Sequence, residues 1–474
     1  MSNKCSYEGC EHKPPDRMRT CIFHAKKETV ETVKEFRIAL GRLLRQYRRE
    51  KPKIWDFRGF VFPDSEKVVG RPIRFGRWRY TQGVSFEKAT FQSFAVFGGA
   101  TFQSDAHFDA ASFQDNTWFA EARFKGAVWF EGATFHGAAW FQRAIFSSVA
   151  WFVGATFQRH ATFSGAIFHA AAWFDGCVFS VNVPFFDAVF AGNVRFIWPG
   201  SSRRPPNEPF APPLSPGTIH FKDIKYERGG TIDFSNNDLR EGCRVIFEKC
   251  NLSRTRFLLT DCTKIEFIDC KWAVVRGRNI VGDEYLARFD TELTEEQKAE
   301  KDKNPDWRLI AITYNQLARN YRERLDYPHV HAFDQGNMVV RRMAFVPTKG
   351  WRKKWWDSGK LLGWRRIIAC FRYYFTFLSF YCYFSNYGTS YWRAVAWLFG
   401  SIVGFGLLYY KSIDTLCFGQ AMRLSLAVAT LNRAGMAEAF KHSIWLDAIA
   451  SFQIVLTATL VALFLFAIRR RFKR

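Results

Sequence analysis

Phenylalanine recurs at every eleventh position from Phe86 to Phe196 without a slip, and this periodicity restricts the folds that the chain can adopt. A second series with the same period runs from Phe91 to Phe190, so successive Phe residues are five and six positions apart in turn. An α-helix with an 11-residue period would carry apolar residues three and four apart, which this segment does not. A small residue, most often Ala, lies two positions before almost every Phe. The pattern predicts a solenoid of stacked repeats.

The pairing of a small residue at position i−2 with Phe at position i resembles the pentapeptide-repeat family in its Phe-centred form. Residues 130–135 (FEGATF) and 152–157 (FVGATF) carry the resemblance. It implies a right-handed quadrilateral β-helix in which each five- or six-residue unit forms one face and two 11-residue units complete a coil. Columns of Phe would fill the interior. We expect this solenoid over 56–275, with a looser repeat over Ile219–Trp272 and a Pro-rich loop over 198–217.

Five Trp residues directly precede a repeat Phe, at a position that should face outward: Trp118, Trp129, Trp140, Trp151 and Trp173. Residues 118 and 140 are 22 positions apart, as are 129, 151 and 173, so we expect two ladders on opposite faces. Outward aromatic patches often mark interfaces, and we predict an interaction surface here. The alternative is that the ladders only shield the edges of the coil, or pack under the Pro-rich loop or the helices. The repeat Phe residues themselves are predicted to form the core.

Four potential metal ligands lie close together near the N-terminus: Cys5, Cys10, Cys21 and His24. Zn²⁺ favours a tetrahedral Cys₃His set, and a small module with little core can depend on the metal for its fold. We therefore predict a structural zinc ion, with His12 as a competing ligand. A catalytic zinc is not expected, because protein ligands would fill all four positions. Reduced cysteines without a metal are the alternative.

Helical segments flank the predicted solenoid. Residues 26–55 have the pattern of an amphipathic basic helix, which would cap the open end of the coil or contact lipid headgroups. The stretch from Tyr314 to Arg342 resembles the helical connector of bacterial membrane-bound pentapeptide-repeat proteins, although Gly336-Asn337 replace the Glu that usually precedes the Met of the last helix. Helices are expected over 291–302, 307–324 and 332–344. Residues Ser385 to Gly388 match the short motif that precedes the first membrane span in that family.

Two C-terminal segments, 391–410 and 444–468, are long and apolar enough to cross a bilayer as helices. Basic residues over 351–366 and 469–474 flank this pair, which places both ends of the hairpin in the cytoplasm by the positive-inside rule. We therefore expect a multi-pass protein of a bacterial inner (plasma) membrane with cytoplasmic termini. The first 13 residues show no apolar signal sequence, in keeping with reduced cytoplasmic thiols.

The layout of span, short helix over 417–431 and second span resembles two-helix potassium channels. A potassium filter needs a ring of backbone carbonyls, and the matching sequence holds Arg433, which would repel cations. Selective potassium conduction is therefore not expected. Polar residues in a span are often functional, and Asp447 and Gln453 lie in or near the second one. Interfacial placement of Asp447 and bonding of Gln453 to a neighbouring helix are the structural alternatives.

The net charge of +24 indicates a negatively charged neighbour. The excess lies beside the apolar segments and in the N-terminal helix, while the Phe-rich tract carries six basic and eight acidic residues. The bilayer is thus the expected partner, together with a protein partner and further copies of the chain, and nucleic acid is not. No nucleotide-binding or catalytic motif is present, so we expect no enzyme activity.

The predicted function is a membrane-anchored scaffold that presents its β-helix for protein interaction at the cytoplasmic face. The alternative is an oligomeric, channel-like or pore-forming effector gated by the β-helix. The expected division of the chain is 1–25 zinc module, 26–55 cap helix, 56–275 β-helix, 276–350 connector, 351–390 interfacial aromatic segment and 391–474 membrane domain.

Overall fold

The computed structural model of the chain describes residues 5–6, 10, 21–25, 29–64, 73–197, 217–227, 229–237, 239, 243–275, 277–289, 305–344, 377–385, 390–413, 416–431 and 444–472. They form two compact units. The first comprises Met1–Pro305 with Ile312–Phe333, and the second comprises Asp306–Ala311 with Asp334–Arg474.

The first unit is a parallel β-solenoid with four faces, as the repeat predicts. In its regular part each strand pairs with the strand 22 residues further on, so that Val128 lies opposite Ala150 and Trp129 opposite Trp151. Face A consists of Ile54–Asp56, Gly83–Ser85, Ala106–His107, Val128–Trp129, Ala150–Trp151, Ala172–Trp173, Asn193–Arg195, Thr231–Asp233 and Thr255–Arg256. Face B consists of Val61–Phe62, Thr90–Phe91, Ser112–Phe113, Thr134–Phe135, Thr156–Phe157 and Val178–Phe179.

The two remaining faces complete each coil. Face C begins with Ala95–Val96, Thr117–Trp118, Ala139–Trp140 and Ala161–Thr162, and continues as Val183–Phe186, Thr218–Lys222, Arg244–Glu248 and Ile265–Ile268. The amide of Phe163 donates to the Pro184 carbonyl at 2.9 Å and joins these two parts. Face D consists of Arg79–Tyr80, Thr101–Phe102, Arg123–Phe124, Ile145–Phe146, Ile167–Phe168, Val189–Phe190 and Lys225–Tyr226.

The interior of the solenoid is made of the predicted inward pairs. Phe130 is completely buried and stacks on Phe108 and Phe152, one coil away in either direction, with ring centroids 4.9 Å apart. Rings within one coil meet edge to face, as Phe130 and Phe119 do at 5.3 Å. Both arrangements are favoured by the ring quadrupole. The small residue at i−2 leaves the space that four Phe rings per coil require.

Two kinds of corner explain the alternation of five and six residues between Phe positions. The five-residue steps turn through one residue in the left-handed conformation, such as Ala110, Gly132 and Gly154 between faces A and B. In the regular coils from Phe86 to Phe196, no residue within a six-residue step has a positive φ. Glycine is used where the backbones approach closely, since a Cβ on Gly126 would lie 2.3 Å from the carbonyl carbon of Ser104.

Helix α1 (Val30–Glu50) covers the first coil. Thr29 caps the helix, and the buried residues Val33, Phe36, Leu40 and Leu43 recur with helical spacing. Phe36 meets Phe62 edge to face at 5.8 Å. Tyr47 lies 5.8 Å from the Trp55 ring, and its hydroxyl donates to the Asp56 carbonyl at 3.0 Å. A solenoid needs such a cover because its terminal coil would otherwise expose its apolar interior.

The other end is closed by segments that follow the last coil. An antiparallel hairpin of Ala273–Val275 and Arg278–Ile280 turns at Gly277, so sheet structure continues past the expected boundary at 275. Helices α2 (Gly282–Arg288), α3 (Trp307–Glu323) and α4 (Tyr327–Met343) follow. The expected start of α4 at 332 was wrong, because Pro328 is tolerated in the first turn of a helix. The helix expected over 291–302 lies outside the described residues.

Side chains of α3, and of Arg324 directly after it, satisfy the backbone of the last coil. Asn320 Nδ2 donates to the carbonyls of Cys262 and Ile265 at 2.9 and 2.8 Å, and Arg324 donates to that of Phe267 at 2.7 Å. The Trp272 indole donates to the Tyr321 hydroxyl at 3.0 Å. These contacts cover an edge that would otherwise present unpaired carbonyls. The connector motif thus serves, in this unit, as a cap.

The second unit contains helices α5 (Phe377–Ser385), α6 (Tyr391–Ser412), α7 (Phe418–Ala429) and α8 (Ile444–Phe472). A common core is formed by Phe405, Tyr409, Ala421, Leu424, Val428 and Ala450. Gly406 allows α6 and α7 to approach closely, since a Cβ there would lie 2.2 Å from Met422 Sδ. Of the expected aromatic segment over 351–390, the structure describes residues 377–385 and 390.

Candidate interaction surface and metal centre

Face A carries a continuous column of outward rings, which we call ladder A: His107, Trp129, Trp151 and Trp173. His107 stacks on Trp129 with centroids 4.2 Å apart, and Trp129 stacks on Trp151 at 4.7 Å. Trp151 meets Trp173 edge to face at 5.2 Å. Parallel strands in register place equivalent residues directly above one another, so the 22-residue spacing alone aligns these rings.

Arg195 occupies the next position of the same column. Its guanidinium carbon lies 5.6 Å from the centre of the Trp173 ring, and its Nε donates to Asp175 Oδ2 at 2.7 Å. Burial raises the pKa of the Asp175 carboxyl, and the ion pair with Arg195 opposes that shift. A cation is therefore held between an aromatic ring and a carboxylate on this face.

An acidic column lies beside ladder A. The residue after each inward Phe of this face is acidic in four of the five coils from Phe86 to Phe174, the members being Glu87, Asp109, Glu131 and Asp175. His107 Nδ1 lies 3.2 Å from Asp109 Oδ2. Glu131 is exposed. Face A thus offers aromatic rings and negative charge side by side.

Ladder C, on the opposite face, consists of Trp118 and Trp140. The Trp118 side chain is 45% exposed, and its ring lies 6.0 Å from that of Trp140 at an angle of 46°. Phe94 lies beside both rings, at 6.2 and 6.4 Å. The positions after the inward Phe residues are uncharged here, for example Gln142. The two ladders therefore share an aromatic character and differ in charge.

The structure brings the four predicted metal ligands together. The donor atoms of Cys5, Cys10, Cys21 and His24 all lie within 4.8 Å of one another. His24 Nδ1 is 3.0 Å from Cys21 Sγ and 3.5 Å from Cys5 Sγ, and the Cys10 and Cys21 sulfurs are 3.7 Å apart. Burial raises the pKa of the Cys21 thiol. His12 lies outside the described residues.

The cluster is attached to the first coil of the solenoid. His24 Nε2 lies 2.9 Å from the Arg58 carbonyl, and the amide of Val61 donates to the Phe23 carbonyl at 2.7 Å. The Phe23 ring stacks on Phe60 with centroids 4.5 Å apart. The segment that carries Cys21 and His24 is therefore part of the end of the solenoid.

Among the polar residues singled out in the helical hairpin, Gln453 is completely buried and bonds two helices besides its own. The Tyr409 hydroxyl donates to Gln453 Oε1 at 2.9 Å, and Gln453 Nε2 donates to the Ser425 carbonyl and hydroxyl at 2.9 and 2.8 Å. Such bonds hold apolar helices together. Asp447 is exposed in the first turn of α8. Arg433 lies outside the described residues.

Comparison with known families agrees with this architecture. A family model described as pentapeptide repeats (9 copies) matches residues 86–134, 119–167 and 130–178. The solenoid is a pentapeptide-repeat domain. Neither the search of curated proteins nor that of solved structures produced a match. The pentapeptide-repeat solenoid is a fold of the protein-interaction type.

Sequence reasoning missed part of this surface. It identified the Trp residues of the pentapeptide-repeat domain and left out the acidic column, together with His107 and Arg195. The signal is present in the sequence, because residues after and before the inward Phe recur every 22 positions just as the Phe residues do. Aligning the coils by that spacing places Glu131 beside Trp129 and Asp175 beside Trp173.

Proposed function

We propose that this chain is a membrane-anchored interaction protein that presents face A of its pentapeptide-repeat domain to a partner at the cytoplasmic side of the plasma membrane. Ladder A and its acidic column carry the proposal. A rigid solenoid fixes these side chains before binding, so a partner does not bear the cost of ordering them. Aromatic side chains held in this way are the usual centres of protein interfaces.

The proposed partner is a polypeptide segment with several Arg or Lys side chains. Arg195 supports this choice, because its guanidinium lies over Trp173 and pairs with Asp175. A partner's cation at the Trp129 rung would pair with the exposed Glu131 carboxylate, while its apolar stem packs along the stacked indoles. Planar guanidinium groups are suited to both contacts at once.

The second unit supplies the proposed anchor. Tyr391–Ser412 and Ile444–Arg469 are long and apolar enough to cross a membrane. Basic residues precede the first and follow the second, at 352–354 and 469–474. The positive-inside rule then favours cytoplasmic placement of the solenoid and of the C-terminus.

Peptide titration tests the binding role. The full chain in detergent is titrated with a soluble peptide of alternating Arg and Ser, and with its Glu and Ser counterpart. We expect the cationic peptide alone to bind, and Trp151→Thr to weaken it about tenfold, as loss of roughly 1–2 kcal/mol of cation–π and packing energy implies. Thr is chosen because Thr162 occupies the equivalent outward position next to Trp140.

Trp140→Thr on face C is the matched control and should leave the affinity unchanged. Glu131→Gln should weaken binding without altering the aromatic column. Equal effects of Trp151→Thr and Trp140→Thr would contradict a specific role for face A. Binding of the anionic peptide would contradict the proposed charge of the partner.

The membrane anchor is tested separately. Membranes containing the chain are washed with alkaline carbonate, which removes peripheral proteins. We expect the chain to remain in the pellet. In a second experiment, a protease is added to sealed vesicles, and we expect it to digest the solenoid in inverted vesicles but not in right-side-out vesicles. Release by carbonate would contradict the two spans, and digestion in right-side-out vesicles would contradict the orientation.

A further inference from the structure

The Cys5, Cys10, Cys21 and His24 cluster has the geometry of an assembled metal site. We propose that it binds one zinc ion, and that this ion fastens the N-terminal segment to the first coil and so keeps the end of the solenoid closed. The proposal is independent of the partner that face A binds. It rests on the spacing of the donor atoms, on their chemistry and on the contacts behind them.

The spacing of the donors agrees with tetrahedral zinc. Zinc–sulfur bonds of about 2.3 Å and zinc–nitrogen bonds of about 2.0 Å give tetrahedral edges of roughly 3.8 Å between sulfurs and 3.5 Å between sulfur and nitrogen. The Cys10 and Cys21 sulfurs are 3.7 Å apart, and Cys5 Sγ is 3.5 Å from His24 Nδ1. Cys21 Sγ lies closer to His24 Nδ1, at 3.0 Å, and all four donor atoms lie within 4.8 Å of one another. A disulfide would require about 2.05 Å, so the Cys10–Cys21 pair is not one.

The donor types favour zinc over harder ions. Three sulfurs and one imidazole nitrogen suit Zn²⁺, whereas Mg²⁺ and Ca²⁺ prefer oxygen ligands. Cys5 and Cys21 are buried, and Cys10 and His24 are half-buried. With four protein ligands the ion has no open position, so its role is structural.

His24 is held in the orientation that a ligand needs. Its Nε2–H donates to the Arg58 carbonyl at 2.9 Å, which leaves the lone pair of Nδ1 directed at the sulfurs. Support of a ligating imidazole by a backbone carbonyl fixes its tautomer and ring position. Because Arg58 belongs to the first coil, the same hydrogen bond connects the metal site to the solenoid.

Zinc binding also affects the packing at the apolar end of the first coil. Phe23, two residues after the ligand Cys21, stacks on Phe60 and meets Phe36 of α1 edge to face at 5.9 Å. Its carbonyl accepts from the Val61 amide at 2.7 Å. The ion thus fixes a residue that packs against both the coil and its covering helix, and its removal should loosen all three.

Metal analysis of the purified full chain tests the site. We expect one zinc per chain by mass spectrometry of the metal, and a loss of most of it in Cys10→Ser and His24→Ala. The matched controls are Cys417→Ser and His160→Ala, which change exposed residues that are not among the four ligands and should retain the metal. Wild-type chain without zinc, or variants that keep it, would overturn the proposal.

Cobalt replacement keeps the test independent of how well the variants fold. Wild-type chain loaded with Co²⁺ should show the intense visible bands of a tetrahedral ion and the near-ultraviolet bands of thiolate ligation. Octahedral spectra would overturn the ligand set. A thiol count that is lower by two, with a Cys10–Cys21 disulfide found by peptide mapping, would also overturn it.

Hydrogen exchange tests the fastening role in the wild-type chain. Removing zinc with a chelator should speed exchange of the amides of Phe57, Gly59 and Val61 at least tenfold, and leave those of Phe130 and Phe152 in the central coils unchanged. Unchanged exchange at the first coil after complete metal removal would show that zinc does not hold the end closed.

Discussion

Trp151 stacks on Trp129 with ring centroids 4.7 Å apart and planes 6° from parallel. The two residues are 22 positions apart and directly opposite in adjacent strands of face A. The same register that stacks Phe in the interior therefore aligns aromatic rings outside. An outward substitution on one coil changes a surface and not the fold, whereas an inward one removes part of the core.

The interior should be sensitive to loss of a single ring. Phe130→Ala removes stacking on Phe108 and Phe152 and leaves a cavity, at a cost of about 3–5 kcal/mol in the free energy of unfolding. Thermal unfolding followed by circular dichroism measures this. Trp118→Thr, an outward aromatic change, should cost about 1 kcal/mol or less. Similar losses for both would contradict the inward and outward assignment.

The corners should differ in their need for glycine. Gly126→Ala places a Cβ 2.3 Å from the Ser104 backbone, so adjacent coils must move apart. In Gly132→Ala the added Cβ meets no atom within 4 Å. The only loss of stability comes from placing Ala at a φ of +62°, which costs about 1–2 kcal/mol. Ala110 already occupies an equivalent corner at φ +51°.

Unfolding temperatures of the two glycine variants give the test. Gly126→Ala should be the more destabilised of the two by several degrees. The reverse order would show that the left-handed corner, and not the close approach of the coils, limits this fold.

The solenoid was predictable because its signal is repeated. The Phe series gave the coil length, the inward pairs and the position of the Trp ladders, since every coil carries the same information. The caps occur once and lack that redundancy. Asn320 belongs to a motif noted in the sequence, yet nothing local shows that its amide bonds the carbonyls of Cys262 and Ile265 some 55 residues earlier.

The metal site was predictable only in part. The spacing of its ligands indicated a site, while the supporting contact from His24 to Arg58 joins residues 34 positions apart and required the fold. Helix α4 starts at Tyr327 and not at 332, and Pro328 is compatible with its first turn.

The C-terminal cap should depend on the Asn320 amide. Asn320→Asp keeps the size of the side chain, removes both donors and places a carboxylate against two carbonyls. We expect a loss of at least about 2 kcal/mol, because buried acceptors are left unpaired. Urea unfolding of the full chain measures it. Arg319→Gln, which changes an exposed side chain on the same helix, should have no effect.

Asp283 should make stability depend on pH. Burial raises the pKa of its carboxyl to about 6, and nearby Arg256 only partly opposes this. The folded state then binds the proton more tightly than the unfolded state, whose value is 3.8. The contribution to the free energy of unfolding therefore falls as pH rises from about 4 to about 6, and is level above that range.

Asp283→Asn removes this titration and retains an acceptor for the Phe257 amide. Relative to the wild type, the variant should gain up to about 3 kcal/mol between pH 4 and pH 7. Thermal unfolding across that range gives the result. A constant difference between the two proteins would show that Asp283 is ionised without penalty in the folded chain.

The proposed use of face A is tested most directly by photo-crosslinking in the membranes of the cells that make the protein. A photoreactive residue replaces Val153, beside Trp151 on face A, or Gln142, beside Trp140 on face C. We predict adducts with a protein rich in Arg or Lys from position 153 only, and their loss in Trp151→Thr. Equal adducts from both faces, or adducts that survive Trp151→Thr, would contradict the account.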